Sequence, residues 1–389
     1  MSHLHNLLLP FSFELPTRVL FGPGSLREVT KELKQLGVSK PLIVTDPGIV
    51  AAGILDKVLE QLSGEIQAII FSEVSPNPKD LNVVAGANVY RESGTDGILA
   101  LGGGSPIDCA KGIGVLVANE ANDIRAFAGR GIPSRPLPPL LAIPTTAGTG
   151  SEITFSCVLN DTSQNIKFTV KNAYTAPRVA ICDPELTTTL PPAITAATGM
   201  DALTHAIEAY TATCAEPISD ALALYAIELI TASLETAFNY GANLTARSTM
   251  LMGSLLAGMA FSHSDVAGIH CIAEALGGLY DLPHGVCNAI ILPHMMSYCM
   301  DYCQERYARI ARAMGLLPDQ GAAGAAQAVA KVQELAAAVR LPLFKELQVD
   351  PSEFPKIALR SYENGSNPSN PRPMTADDYL QLLHLMQGV

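Results

Sequence analysis

Asp201 and His205, in the segment GMDALTHAIEAY, are four residues apart and so share one face of any helix that carries them. His270 lies in a second helical pattern, AGIHCIAEALGG, and His284 follows in the turn-like stretch DLPHGVCNA. The chain has only eight histidines, and His205, His270 and His284 join Asp201 as one candidate set within 84 residues. One carboxylate and three imidazoles are a ligand set suited to Fe²⁺, Zn²⁺ or Mn²⁺. Each histidine taken alone also reads as a core residue among apolar neighbours.

Two other segments suggest phosphate and nucleotide chemistry. Gly102-Gly103-Gly104-Ser105-Pro106-Ile107-Asp108 follows the apolar run GILAL and precedes a helical pattern that begins near Cys109. Consecutive glycines let a phosphate approach the backbone, and a following helix N-terminus favours negative charge. The run is not the dinucleotide fingerprint GxGxxG, because Ile107 stands where the third glycine belongs, and it reads also as a plain strand-to-helix turn. Pro144-Thr145-Thr146-Ala147-Gly148-Thr149-Gly150-Ser151-Glu152 sets hydroxyls and glycines after another strand pattern. In open α/β sheets ligands bind at the carboxyl edge, so two such loops predict one extended nucleotide. Asp46, in VTDPG, ends a further strand; it suits ribose hydroxyls and repels a 2′-phosphate, or serves as a turn or cap residue.

These residues need elements to hold them. Arg18–Gly22, Pro41–Thr45, Ile66–Val74, Gly97–Leu101, Pro139–Pro144 and Val179–Cys182 read as strands, with helical periodicity over Gly24–Gly37 and Asp80–Ser93. Alternating β and α predicts a parallel, Rossmann-like sheet covered on both faces. Phe155–Asn160 and Asn165–Val170, joined by DTSQ, predict an inserted hairpin. After Pro191-Pro192 the chain turns Ala-, Leu- and Met-rich, with helical patterns over Ile194–Thr211, Pro217–Tyr240 and Leu244–Ser262. The proline pair predicts a boundary between an α/β domain over 1–190, which carries the nucleotide loops, and an all-α domain over 191–389, which carries the candidate metal ligands.

Composition narrows the class. Of 389 residues 48% are apolar and 16% charged, against a usual charged share of roughly a quarter, so a large core is expected and disorder is not. Twenty-five basic against 37 acidic residues, net −12, with no basic cluster, argues against a nucleic-acid partner. No run of about 18 uninterrupted apolar residues predicts a membrane span, and the N-terminus lacks the basic lead of a secretory signal. Eight scattered cysteines without a CxxC pair read as buried thiols in a reducing cytoplasm.

GGGSPIDCAK, PTTAGTGSE, ATGMDALTHAIEAY and DLPHGVCNAIILPH together resemble the signature segments of the iron-containing (group III) alcohol dehydrogenase family. The resemblance runs from FELPTRVLFGPGS to SNPSNPRPMT, nearly the whole chain. It implies a dinucleotide-binding domain and a helical domain with the active site between them. It implies NAD, and a divalent metal, Fe²⁺ foremost with Zn²⁺ as an alternative, on Asp201, His205, His270 and His284. Asp46 is then expected at the adenine ribose and Gly103, Gly104 and Ser105 at the pyrophosphate. Asn77, Thr145, Thr146, Thr149, Ser151 and Lys167 complete the implied cofactor lining. The implied reaction moves a hydride between an alcohol carbon and nicotinamide, with a small alcohol or aldehyde as substrate and a homo-oligomer as the working form.

Two positions depart from the family pattern. Glu274 stands where many relatives carry a second histidine in an HxxxH pattern, and His263 replaces the asparagine of FSN. Both are candidate catalytic residues, expected to touch the substrate or its proton, or to close the cavity by pairing with each other. A second enzyme class, NAD- and Zn²⁺-using cyclases resembling dehydroquinate synthase, and an inactive nucleotide- and metal-binding relative are the alternatives.

Overall fold

The computed structural model describes residues 10–62, 64–317 and 321–388; the apolar patch that opens the chain, at 1–9, lies outside them. The chain forms two compact units. The first holds residues 15–190 with 241–251, and the second holds 10–14, 191–240 and 252–388. Relative to a cut at residue 190, 241–251 belongs with the sheet and 10–14 with the helices.

The first unit contains, in chain order, β1 (Arg18–Phe21), α1 (Val29–Gln35), β2 (Pro41–Val44), α2 (Pro47–Ala51), α3 (Ile54–Gln61) and β3 (Ile69–Phe71). It continues with α4 (Asp80–Ser93), β4 (Gly97–Gly102), α5 (Gly104–Ala118), β5 (Gly129–Arg130), β6 (Leu140–Pro144), β7 (Ser156–Asp161), β8 (Ile166–Lys171) and β9 (Val179–Cys182). Six strands pair in the order β1-β9-β6-β4-β2-β3, all parallel. Their side chains alternate between two cores. Leu42, Val44, Ile98, Ala100, Leu140 and Ala142 pack with α4 and α5 residues such as Val83, Ile107 and Ile113. Ile43, Leu99, Leu101, Leu141 and Ile143 pack on the other face with Leu33, Leu55 and Val58. With each buried Leu or Ile contributing about 1.5–3 kcal/mol, two such cores account for a sheet apolar on both faces. β2 has β3 on one side and β4 on the other, which puts a topological switch point between β2 and β4.

The hairpin forms as β7 and β8, one residue further along than the sequence pattern suggested, and gains a third strand, β5. Two residues are too few to show a strand period, which is why β5 was not foreseen.

The second unit is helical. It contains α6 (Pro192–Thr211), α7 (Pro217–Asn239), most of α8 (Leu244–Ser264), α9 (Gly268–Tyr280), α10 (His284–Tyr298), α11 (Met300–Ala313), α12 (Gly321–Ala338), α13 (Phe354–Glu363) and α14 (Ala376–Gln387). Every residue of α6 from Gly199 to Thr211 is buried, so this helix runs through the centre of the unit. α7 is long and apolar enough to cross a membrane by length and composition alone, although Asp220, Glu228 and Glu235 interrupt its apolar runs. Its buried residues follow one stripe, Ser219, Ala223, Ala226, Ile230, Ser233 and Ala237, as in a helix packed on one side of a protein core. All eight cysteines are free thiols; seven are buried, and Cys214 is exposed, against expectation.

Candidate metal centre and cofactor loops

Asp201, His205 and Glu208 occupy one face of α6 at spacings of four and three residues. His270 comes from the first turn of α9. His284 is the first residue of α10 rather than part of a preceding turn. Gly285 allows the approach of α10 to α6: a Cβ there would stand 3.0 Å from the Ala197 carbonyl oxygen and 3.4 Å from Asp201 Cβ. One donor atom from each of Asp201, His205, His270 and His284 lies within 4.8 Å of the other three. The rings of His205 and His270 are 4.6 Å apart, those of His270 and His284 5.2 Å, and Phe261 stacks on His205 at 4.4 Å.

Glu208, which the sequence reading passed over, fixes one of these rings. His270 Nδ1–H donates to Glu208 Oε2, and the Ile269 N–H donates to Oε1 at 2.7 Å. The bond commits the ring proton to Nδ1 and leaves the Nε2 lone pair for a cation, the usual carboxylate–histidine arrangement behind a metal. Burial works against charge on His270, but Glu208, then Asp201 and Glu274, hold its pKa above the ordinary histidine value. Asn288, also unforeseen, is fully buried four residues after His284. Its Nδ2 lies 2.7 Å from Asp201 Oδ1, 3.0 Å from His270 Nε2 and 3.1 Å from His284 Nε2. A buried carboxylate with three imidazoles whose ring nitrogens converge is a donor set that fits a divalent transition metal.

The two departures from the family pattern are held differently. Glu274, one turn beyond His270 on α9, accepts a hydrogen bond from Asn364 Nδ2 at 2.6 Å. His263 accepts from the Glu14 N–H at 3.0 Å through Nε2, meets the Met259 carbonyl at 2.9 Å through Nδ1, and is stacked by Phe13 at 4.0 Å.

In the sheet unit the nucleotide candidates gather at the carboxyl ends of β3, β2, β4 and β6. Asp46 caps α2, accepting the Ile49 N–H at 2.9 Å, so the cap role weighed in the sequence is real. α5 begins at Gly104, five residues earlier than its pattern suggested, with Gly103 as N-cap and no side chain closing the terminus. A Cβ on Gly103 would sit 3.2 Å from Thr146 Oγ1, and one on Gly104 2.7 Å from Thr149 Cγ2, so both glycines admit the 145–150 loop. Thr145 is buried with its Oγ1 lacking a hydrogen-bond partner. Asn77, at a left-handed φ of 49°, accepts from Lys167 Nζ at 2.9 Å, which joins two of the expected lining residues. An uncapped helix terminus beside a buried unpartnered hydroxyl fits a dinucleotide's pyrophosphate and hydroxyls.

Behind these loops is a buried polar cluster that joins Ser151, expected at the cofactor, to Asp108 and to Lys111, which the motifs did not single out. The Ser151 hydroxyl donates to Asp108, which also accepts the Val158 N–H at 2.9 Å. Lys111, fully buried, donates to the Thr154 and Ser156 carbonyls at 3.1 and 2.7 Å and lies 3.9 Å from Asp108. Burial raises the pKa of Asp108 and lowers that of Lys111, each opposed by the other's charge. Glu152 is buried with Oε1 unpartnered, and burial pushes its pKa up to about 7.

A parallel sheet with ligand loops at its carboxyl edge, and a helical unit with a one-carboxylate, three-imidazole cluster, are the parts of an enzyme that uses a nucleotide and a metal. Residues 16–184 match the family described as iron-containing alcohol dehydrogenase, and residues 195–386 match its C-terminal counterpart. The chain belongs to the iron-containing alcohol dehydrogenase family. It is 43% identical over 368 residues to 1,3-propanediol dehydrogenase of Citrobacter freundii, covering 93% of this chain and 95% of that one. It is 37% identical over 375 residues to choline dehydrogenase of Bacillus subtilis (strain 168), covering 95% and 93%. A crystal structure of a 1,3-propanediol oxidoreductase superposes with a TM-score of 0.94 at 40% identity, over 97% of this chain and 100% of that one. The chain is therefore an oxidoreductase of the alcohol dehydrogenase type, from a family that uses NAD and a divalent metal, and the cyclase reading is not favoured.

Proposed function

We propose that this enzyme interconverts small, uncharged, hydroxylated alcohols and their aldehydes using NAD(H) and Fe²⁺. The observation that carries the reading is the convergence of Asp201, His205, His270 and His284 within 4.8 Å. When bound there, a divalent ion opposed by a single carboxylate would retain one net positive charge to stabilise an alcohol oxygen as it loses its proton, with NAD as hydride acceptor. Glu208 holds the proton on His270 Nδ1, and Phe261 fixes the ring plane of His205. The open N-terminus of α5, with Gly103, Gly104 and Ser105, receives the pyrophosphate. Thr145, Thr146, Thr149, Ser151, Asn77 and Lys167 line the remainder. Asp46 selects NAD over NADP by charge.

Glu274 takes the part of the histidine common in relatives: it accepts a second hydroxyl of the substrate or passes its proton. A carboxylate there favours hydroxylated substrates such as diols and disfavours anionic ones. His263 acts more remotely, by holding residues 13 and 14. The sheet unit, 15–190 with 241–251, binds NAD, and the helical unit, 10–14, 191–240 and 252–388, binds metal. The working form is a cytoplasmic homo-oligomer without membrane partners; the net charge of −12 and the lack of a basic cluster support the absence of nucleic-acid partners.

The test is a panel of alcohols and aldehydes assayed with NAD(H) on protein reconstituted anaerobically with Fe²⁺. Short diols and hydroxyaldehydes should outrank carboxylate-bearing aldehydes, and Glu274→Gln should keep its metal but reorder that ranking and move the pH profile. A variant indistinguishable from the parent in both would make Glu274 a bystander.

A further inference from the structure

From Gly268 to Gly278 every residue of α9 is buried except Glu274, which is half-buried. It stands one turn beyond His270, so the one open side chain along this stretch lies on the face that carries an expected metal ligand. Residues 364–370, which follow α13, hold it there. Asn364 Nδ2 donates to Glu274 Oε2 at 2.6 Å, and the Ser366 N–H donates to Asn364 Oδ1 at 2.9 Å. The second bond fixes the sense of the first: with Oδ1 held by a backbone donor, the amide presents its N–H group to residue 274.

The far end of the same segment is fastened to the start of α9. Asn370 is buried; its Oδ1 accepts the Gly268 N–H at 3.2 Å, and its Nδ2 donates to the Arg372 carbonyl at 2.7 Å. The Ser369 hydroxyl donates to Asp265, just before α9, at 3.3 Å. A Cβ on Gly268 would lie 2.9 Å from Asn370 Oδ1, so the segment sits directly against the helix. It therefore meets α9 on both sides of His270, at Gly268 and at Glu274.

We propose that Asn364 is a positioning residue for substrate selection: the pair of Asn364 and Glu274, rather than Glu274 alone, sets the preference for substrates with a second hydroxyl. The proposal rests on the reading of Glu274 as the group that meets that hydroxyl. A carboxyl group turns freely about its last bond until a donor fixes its plane, and the Asn364 amide is such a donor. The two positions are then chemically matched. An aspartate at 364 would set one carboxylate against another at hydrogen-bond distance, which is unfavourable. The same aspartate facing a histidine at 274, the residue common in relatives, would pair with a ring N–H.

The experiment uses the full-length enzyme reconstituted anaerobically with Fe²⁺ and compares 1,3-propanediol with 1-propanol, which differ by one hydroxyl. Asn364→Leu should raise KM for the diol roughly tenfold, with a smaller effect on its kcat and a several-fold smaller effect on 1-propanol. Asn364→Asp should reduce the diol preference at least as much when Glu274 is present. Introduced together with Glu274→His, it should instead raise kcat/KM for 1-propanol several-fold over Glu274→His alone. The urea midpoint, which reads the pair without turnover, should fall with Asn364→Asp beside Glu274 and should not fall beside His at 274. Asn364→Asp, close in size to the parent, decides the matter if the leucine variant does not fold. Equal losses on the two alcohols, or an effect of Asn364→Asp that is the same in both backgrounds, overturns the proposal. If Glu274→Gln weakens the diol preference and neither Asn364 variant does, the proposal falls alone. If Glu274→Gln leaves that preference at the parent's level, the reading of Glu274 falls and the proposal with it.

Discussion

A carboxyl group as deeply buried as that of Glu152 makes stability depend on pH in a fixed direction. Burial raises its pKa from 4.5 to about 7, so the unfolded chain releases this proton near pH 4.5 while the native protein keeps it to about pH 7. Between those values the native state binds more protons, and its stability falls as pH rises, by roughly 3 kcal/mol in all, then levels off. Glu152→Gln should therefore match the parent in urea denaturation near pH 4.5 and exceed it by about 3 kcal/mol at pH 8; a gap that does not widen with pH would refute this. Asp46 bears both a charge and a cap, so the informative change is Asp46→Ser, which keeps an acceptor for the Ile49 N–H while removing the charge. Its ratio of kcat/KM for NADP over NAD should rise, and an unchanged ratio would remove Asp46 from the ribose. Glu208→Gln should lower metal affinity by roughly 10–100-fold by loosening His270, measured by competition with a chelator. The ligand residues were legible because Asp201 and His205 are four apart and histidine is scarce. Glu208 shares their face three residues on, but a glutamate on a helix has too many ordinary uses to stand out, and Asn288 shows its role only once α6, α9 and α10 converge.

Among the elements, the start of α5 shows how local chemistry was readable and yet misread. The pattern GSPID suggests a loop up to Cys109, but Pro106 fits the first turn of a helix, where its missing N–H is owed to no intrahelical partner. The helix begins at Gly104, and its open N-terminus is brought next to the 145–150 loop only because Gly103 and Gly104 lack side chains. Gly104→Ala should push Thr149 away, since the added carbon would lie 2.7 Å from its Cγ2. NAD affinity by titration calorimetry is expected to fall roughly tenfold, as a misplacement at the cofactor does, while the melting temperature stays near the parent's. Unchanged affinity would mean that the loop spacing does not set cofactor binding. The six strands of the parallel sheet were visible as short runs rich in Ile, Leu and Val, and the helices after residue 190 because period 3.6 persists over enough residues to be read. β3 shrank from an expected nine residues to three, since the alternation in Ile66–Val74 does not by itself say where hydrogen bonding to β2 stops.

At the scale of the molecule, the sheet unit is not a contiguous stretch of chain. Residues 241–251 belong to it, and among them Arg247, buried at 3% exposure, donates to the carbonyls of Gly241 and Leu190 at 2.8 and 3.1 Å. A fragment ending at residue 190 leaves out that guanidinium and the turns of α8 around it. Expressed alone, 15–190 should unfold with a broader and earlier urea transition by circular dichroism than the same fragment joined to 241–251 through a short linker; coincident transitions would show that the late segment adds nothing. The same interleaving sets a timetable for synthesis. Whatever of the sheet forms as the first 190 residues leave the ribosome must wait while the next 50 emerge, and only when residue 251 is clear can its last piece arrive. For that interval the nascent protein carries a nucleotide fold without its final segment and a helical unit barely begun, which makes the passage between residues 190 and 251 the stretch of translation where a chaperone has most to protect.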